Sequence, residues 1–169
     1  MDDILISICI PAYERLDFLK RLIESISIQE YRNFEVIVTD DSKTDQVASF
    51  INNYKSWFPM SYHKNVPALG TSKNMVEGMK YARSRWIKII HDDDFFASPK
   101  AMGEYADAIS HNTRFIFSGY NAYFENTGKI VDKTISTSRF KNIQKSPSVL
   151  FADNKIGPPS VSMMHASVT

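Results

Sequence analysis

The run His91-Asp92-Asp93-Asp94 sets three carboxylates in succession directly behind a short apolar segment. Carboxylate oxygens are hard ligands, suited to magnesium or manganese rather than to softer ions. Neighbouring carboxylates repel one another unless a cation or hydrogen bonds offset their charge. Asp92 and Asp94, one residue apart, can both approach one metal if the loop between them bends. A metal held there could bridge a diphosphate and neutralise charge on a departing nucleotide, which is Lewis-acid catalysis. Taken alone, the tripeptide is more simply read as a solvated acidic turn whose side chains cap backbone N–H groups. Its position after a buried strand favours the metal reading. His91 beside it reads as a structural residue, since the carboxylates suffice as ligands.

Two further polar clusters carry chemistry. In Asp40-Asp41-Ser42 the first acid reads as a turn or cap residue. Asp41 stands where a carboxylate could accept from the N–H of a pyrimidine ring. In Pro11-Ala12-Tyr13-Glu14 the tyrosine could pack on a base, although an aromatic in that place can equally be core. Lys73 falls in the first turn of a helical segment. Phosphate could meet both its ammonium and the helix N-terminal N–H groups there, or the residue is an ordinary exposed lysine.

The elements that must position these clusters alternate. Leu5 to Ile10 reads as a buried strand stopped by Pro11, and a helix follows with Leu16, Leu19, Leu22, Ile23 and Ile26 on one face. Phe34 to Val38 is a second buried strand, followed by a helix from near Asp45 to Tyr54 and a short strand at Met60 to His63. A third helix opens behind Leu69-Gly70, with Thr71 or Ser72 as its cap and Met75, Val76, Met79 and Ala82 as its apolar face. Trp86 to Ile90 is a strand, and Ser98-Pro99 starts a helix carrying Met102, Tyr105, Ala106 and Ile109. Phe115 to Phe124 reads as one long strand, with Lys129 to Ile135 pairing back across Asn126-Thr127-Gly128. This pattern predicts a mostly parallel, Rossmann-like α/β sheet flanked by helices, with a small β-rich C-terminal part. In such a sheet, ligands bind beyond the carboxyl ends of the strands. All three polar clusters fall at such ends.

Composition bounds the partners. With 169 residues the chain suits one domain with a sizeable core, and its 43% hydrophobic content is that of a globular protein. A net charge of +1 and the lack of a basic stripe argue against nucleic acid. The single cysteine, Cys9, excludes an internal disulfide and sits in an apolar run as a small buried hydrophobe. The acidic start, Asp2-Asp3, does not fit a signal peptide, and no apolar run is long enough to span a bilayer. A cytoplasmic protein is the expectation, compatible with peripheral membrane association.

Four segments, in order, resemble the large inverting family of nucleotide-sugar glycosyltransferases with the A-type fold, glycosyltransferase family 2. Ser7 to Glu14 resembles the family's first strand and its Pro-x-Tyr-Asn turn. Glu35 to Ser42 resembles its second strand and Asp-Asp turn. Leu69 to Asn74 is similar to its Gly-x-x-x-Arg-Asn segment, and Ile89 to Asp94, with Pro99 following, to its Asp-x-Asp metal motif. The resemblance implies that Pro11, Ala12, Tyr13 and Glu14 line the nucleoside pocket and that Asp41 contacts the base, usually uracil. It further implies that Asp92 and Asp93 contact ribose and diphosphate, that Asp94 binds a manganese or magnesium ion, and that Lys73 stands in for arginine at the phosphates. Glu14 and Lys73 depart from the family's asparagine and arginine, and lysine lacks the bidentate fork.

The implied activity is transfer of a sugar, with inversion, from a UDP-linked donor to a hydroxyl of a saccharide or lipid-linked saccharide acceptor in bacterial surface polysaccharide synthesis. The family's general base lies downstream of a segment resembling Gly157 to His165. It is therefore expected beyond residue 169, Asp153 being a poor candidate. On this reading residues 1–112 form the nucleotide-sugar half and 113–169 the start of the acceptor half of a truncated domain. Two alternatives stand beside it. A sugar-phosphate nucleotidyltransferase would want a glycine-rich basic loop where Ala12-Tyr13-Glu14-Arg15 stands. A non-catalytic nucleotide-sugar-binding domain would keep the fold without turnover.

Overall fold

The computed structural model describes residues 6–149 and 156–168. Leu5, counted above in the first strand, lies outside them, as do Asp2, Asp3, Asp153 and Thr169. Strands β1 (Ile6–Ala12), β2 (Phe34–Asp40), β3 (Met60–Lys64) and β4 (Trp86–Ile89) alternate with helices α1 (Leu16–Ser27), α2 (Gln46–Asn53) and α3 (Thr71–Lys80). Helix α4 (Ala101–Asp107), strands β5 (Phe115–Phe117), β6 (Asn121–Phe124) and β7 (Lys129–Asp132), helix α5 (Thr137–Lys145) and strand β8 (Ser162–His165) complete the order. Six strands form one sheet in the order β3-β2-β1-β4-β8-β5, with β1 to β4 mutually parallel and β8 antiparallel to both its neighbours. The fold is thus the α/β sheet that the alternation predicts.

Burial explains the strand sequences. Every residue of β1 and β2 is buried, so both strands are near-continuously apolar rather than alternating. Ile6, Ile8 and Ile10 of β1 with Val36 and Val38 of β2 pack against Leu19, Leu22, Ile23 and Ile26 of α1, and α2 and α4 cover the same face. Cys9, Ile37, Ile87 and Ile89 point to the opposite face, where Met75, Met79 and Ala82 of the α3 segment cover them. Gly78 makes that contact close: a Cβ there would stand 3.3 Å from Cys9 Cβ and 3.4 Å from Thr39 Oγ1. Val76, expected on the apolar face of α3, is instead exposed, and Asn74 and Gly78 are its buried residues.

Other expectations are corrected. The long strand Phe115 to Phe124 is two strands: β5 joins the main sheet and β6 forms a separate hairpin with β7. The break falls around Gly119, where a Cβ would meet Thr134 Oγ1 at 2.9 Å and its Cα at 3.1 Å, so the returning chain packs on bare backbone. Helix α3 has no hydroxyl cap from Thr71 or Ser72. Its N-cap is Gly70, at φ +83°, a left-handed conformation suited to glycine. Ser98-Pro99 lies just ahead of α4 rather than in its first turn, with Ser98 Oγ accepting from Lys100 N–H at 3.1 Å. The apolar stretch from Val161 supplies β8, which fills the gap between β4 and β5. Among the described residues no helix is long and apolar enough to cross a membrane.

Candidate functional site

The parallel register brings the strand ends to one level: Ala12 lies opposite Asp40, and Cys9 lies opposite Ile89. Cys9 O accepts from Ile90 N–H at 3.1 Å, on the β4 side. Pro11, two residues on, turns its missing N–H to that side, past the end of the ladder, where no partner is lost. Ala12 O accepts from Asp41 N–H at 3.1 Å on the other side. Pro11 and Ala12 are therefore buried strand-end residues beneath the loops, whereas the Tyr13 ring is 48% exposed.

The three loops are tied together by carboxylates. Asp92, 1% exposed, accepts from Tyr13 N–H at 3.0 Å through Oδ2 and from Arg15 Nη2 at 2.5 Å through Oδ1. Arg15 Nη1 reaches Asp93 Oδ2, also at 2.5 Å, so one guanidinium spans two successive acids. Burial pushes the Asp92 carboxyl above its usual range, against the opposing pull of Tyr13 N–H and Arg15. Glu14 adopts φ +56°, donates its N–H to Ser42 Oγ at 2.8 Å, and accepts from Lys43 N–H at 2.6 Å and Thr44 Oγ1 at 3.1 Å. The Lys43 N–H, with help from Thr44, holds its carboxyl below the usual value. Glu14 thus latches the β1–α1 loop onto the β2–α2 loop.

Asp40, fully buried, accepts from Ser42 N–H at 2.8 Å and from the Tyr62 hydroxyl at 2.7 Å, a turn-forming arrangement. Asp41 is turned towards the loop ahead of α3. Its Oδ1 accepts from Asn65 Nδ2 at 2.8 Å and Leu69 N–H at 3.0 Å, and its Oδ2 from Gly70 N–H at 2.7 Å. A carboxylate offers about four lone-pair sites, so three bonds leave one acceptor position open. Asn74, 2% exposed, secures this arrangement: its Oδ1 accepts from Asn65 Nδ2 at 2.9 Å and its Nδ2 donates to Ala12 O at 3.2 Å. Lys73, in the first turn of α3, is exposed, and its ammonium makes no hydrogen bond or ion pair among the described residues.

Asp94 differs from its neighbours. Its N–H closes a turn onto His91 O at 3.1 Å, but its half-buried carboxylate has no hydrogen bond or ion pair among the described residues. It lines a cavity of about 950 Å³ together with Asp93, Lys88, Phe95, Tyr120 and Ser160. Lys88 is buried completely. Its ammonium donates to Ser160 O and, at 3.3 Å, to Ser162 O, and it lies 4.7 Å from the centre of the Tyr105 ring. Burial pulls it down to about 7, while the negative charge of Asp94 pulls the other way. Ser160 Oγ in turn accepts from His91 N–H at 3.0 Å, which fixes the start of the acidic turn. The His91 Nε2 atom is buried without a partner among the described residues.

Within the described residues no three His, Cys, Asp or Glu side chains are arranged to hold a metal by themselves. The donor set nevertheless fits a hard divalent cation in one respect. The Asp94 carboxylate, without a hydrogen bond or ion pair among the described residues, faces the cavity, and magnesium-type sites use one or two carboxylates completed by substrate phosphates and water. Arg15, Asn65, Asn74, Lys88 and Ser160 were given no role from sequence. Only Lys88 carries a usable signal, a lysine flanked by Ile87 and Ile89 inside an otherwise apolar strand.

Comparison with known proteins shows the family and the fold. The family described as Glycosyl transferase family 2 matches residues 7–168. The abequosyltransferase RfbV of Salmonella typhimurium is 35% identical over 99 residues, covering 55% of this chain and 29% of that protein. An Escherichia coli protein, the UDP-Glc:alpha-D-GlcNAc-diphosphoundecaprenol beta-1,3-glucosyltransferase WfgD, is 26% identical over 139 residues, covering 82% of this chain and 54% of that protein. Among solved structures, TarS 1-349 of S. aureus in complex with UDP-GlcNAc has a TM-score of 0.57 at 21% identity, over 62% of this chain and 30% of that one. The mannosyltransferase PcManGT of Pyrobaculum calidifontis, with GDP-Man and Mn2+, has a TM-score of 0.61 at 13% identity, over 72% of this chain and 36% of that one. At these identities the structural likenesses show the fold. The chain spans 19% of the length of an uncharacterized glycosyltransferase of Rickettsia felis, to which it is 30% identical over 119 residues, and 54% of WfgD's.

Proposed function

This chain belongs to glycosyl transferase family 2, and we propose that it binds a nucleoside-diphosphate sugar, UDP-linked, at the joined ends of β1, β2 and β4. The observation that carries the reading is Asp94. It alone of the acidic run has no side-chain hydrogen bond or ion pair among the described residues, and it lines a cavity with Asp93. Tyr13, Glu14, Asp41 and Lys73 do not line that cavity and are assigned to the nucleoside and phosphates at the loops tied to the acidic turn through Asp92 and Arg15. On this reading Tyr13 offers its exposed ring to the base, and Asp41 offers its one open acceptor position to a base N–H. Pro11 and Ala12 form the floor, and Glu14 shapes the pocket by holding two loops together. Lys73 and the α3 N-terminus receive phosphate. Asp93 lies at the ribose and diphosphate. Asp92 is assigned a positioning part, because both of its oxygens are already held by Tyr13 N–H and Arg15. Asp94 with the donor's phosphates would hold a manganese or magnesium ion, which when bound neutralises charge on the departing nucleoside diphosphate.

The activity we propose is transfer with inversion to a hydroxyl of a saccharide or lipid-linked saccharide, in bacterial surface polysaccharide synthesis. Support comes from the relatives' names: WfgD is named for a UDP-linked donor and a diphosphoundecaprenol-linked acceptor. Peripheral membrane association would follow from an acceptor of that kind. Calorimetric titration of UDP- and GDP-linked sugars, with and without manganese, tests the reading. Metal-dependent binding of a UDP-sugar that Asp94→Ala abolishes is expected. Equal binding without metal, or by the variant, overturns the metal and donor assignment.

A further inference from the structure

Arg15 places one guanidinium nitrogen on Asp92 and another on Asp93, each at 2.5 Å. The second oxygen of Asp92 is taken by Tyr13 N–H. A guanidinium is charged at every working pH and holds a fixed planar fork. Two of the three successive acids therefore share one positive charge from within the protein, and Asp94 is the member of the run without a hydrogen bond or ion pair among the described residues. One carboxylate holds magnesium or manganese weakly until substrate phosphates supply the other ligands, and cation affinity in oxygen sites rises with the number of charged ligands. Without Arg15, three carboxylates on adjacent residues would repel one another and their mutual repulsion would draw in a divalent cation unaided.

We propose that Arg15 is a positioning residue that makes metal capture conditional on the donor: by occupying Asp92 and Asp93 it suppresses binding of the bare ion, so that metal and nucleotide enter together. This rests on the reading that Asp94 meets the metal in company with the donor's phosphates. The same clasp keeps Asp92 bound to Tyr13 N–H and so holds the β1–α1 loop against the β4–α4 loop.

The test needs no turnover. Free manganese is followed by electron paramagnetic resonance while it is titrated into wild type, Arg15→Met and Arg15→Lys, first without nucleotide and then with UDP. Wild type should bind the bare ion weakly and gain about tenfold or more from UDP. Arg15→Met should bind the bare ion about tenfold or more tighter than wild type and gain much less from UDP. Arg15→Lys keeps a charge but can satisfy only one acid, so it should fall between the two. An Arg15 that merely supports the fold would leave bare-ion binding unchanged or weaker. Arg15→Met binding manganese no tighter than wild type therefore overturns the proposal. Should Arg15→Met lack a cooperative thermal transition, Arg15→Lys decides on the same criterion. The underlying reading fails separately, if wild type binds UDP equally with and without manganese, or if Asp94→Asn keeps the full manganese-dependent gain of wild type.

Discussion

Replacing Asp41 by asparagine should loosen the entrance to α3. The carboxylate now accepts from Asn65 Nδ2, Leu69 N–H and Gly70 N–H at 2.7–3.0 Å, while itself only 4% exposed. An asparagine keeps one oxygen and presents an NH2 group in place of the other. Two bonds then change from charge-assisted to neutral, losing about 1 kcal/mol each, and the third becomes a donor facing a donor, costing about 1–3 kcal/mol. The sum is about 3–5 kcal/mol. For a chain of this length that corresponds to a fall of roughly 6–20 °C in Tm. Urea denaturation without ligand measures the first quantity, and amide exchange at Leu69 and Gly70 locates it. The loss should appear in the absence of nucleotide, because the bonds are internal to the protein. Nucleotide affinity should fall as well, since Lys73 and the α3 N-terminus hang on the same loop. A variant within about 1 kcal/mol of wild type, with both amides equally protected, would refute the argument.

Two other outcomes follow from packing and charge. Lys88 has its folded value drawn down to about 7 from an ordinary 10.5. Between those values the unfolded chain holds the extra proton, so stability should rise with pH across that window by up to about 1.4 kcal/mol per pH unit. Below the window both states are protonated and the burial cost is fully present. Lys88→Met should remove this rise, and parallel stability curves for the two proteins between pH 7 and 10 would contradict it. Gly78→Leu should cost about 1–3 kcal/mol in chemical denaturation, because a side chain there must displace Cys9 and Thr39. A neutral result would mean that α3 does not lie as close to the sheet as described.

Much of the scaffold was legible because burial leaves a periodic trace. The leucines and isoleucines of α1 repeat at helical spacing, and β1 and β2, covered on both faces, read as mostly apolar runs rather than alternating ones. The switch from strand to acidic loop after Ile90 was visible for the same reason. What escaped depends on contacts distant in sequence. Nothing local to Phe115–Phe124 reveals that Thr134 will press on Gly119 and split the strand. Nothing local to Thr71 and Ser72 tells that a carboxylate from the end of β2 will serve the N–H groups ahead of α3. Residue type alone does not separate Asp92, Asp93 and Asp94, and only the family resemblance assigns them different parts. The physical difference between them comes from Arg15, carried round on the β1–α1 loop, which takes two of them.

The position of β8 has a consequence for the order of assembly. Strand β5 touches the sheet only through β8, and β8 is made last among the described strands. While the chain is being synthesised, β1 to β4 can pair as soon as Ile89 has emerged, but the outer edge of β4 then waits for Ser162–His165. An unpaired edge of that kind is a template for pairing with other chains. Pairing across so long a separation also slows folding, because the intervening loop must close first. Lys88 sits on that waiting edge, its ammonium without the Ser160 and Ser162 carbonyls until β8 docks. A charged lysine is among the residues that protect open edges from aggregation. The residue that pins the finished sheet beside the acidic turn therefore also guards the unfinished one.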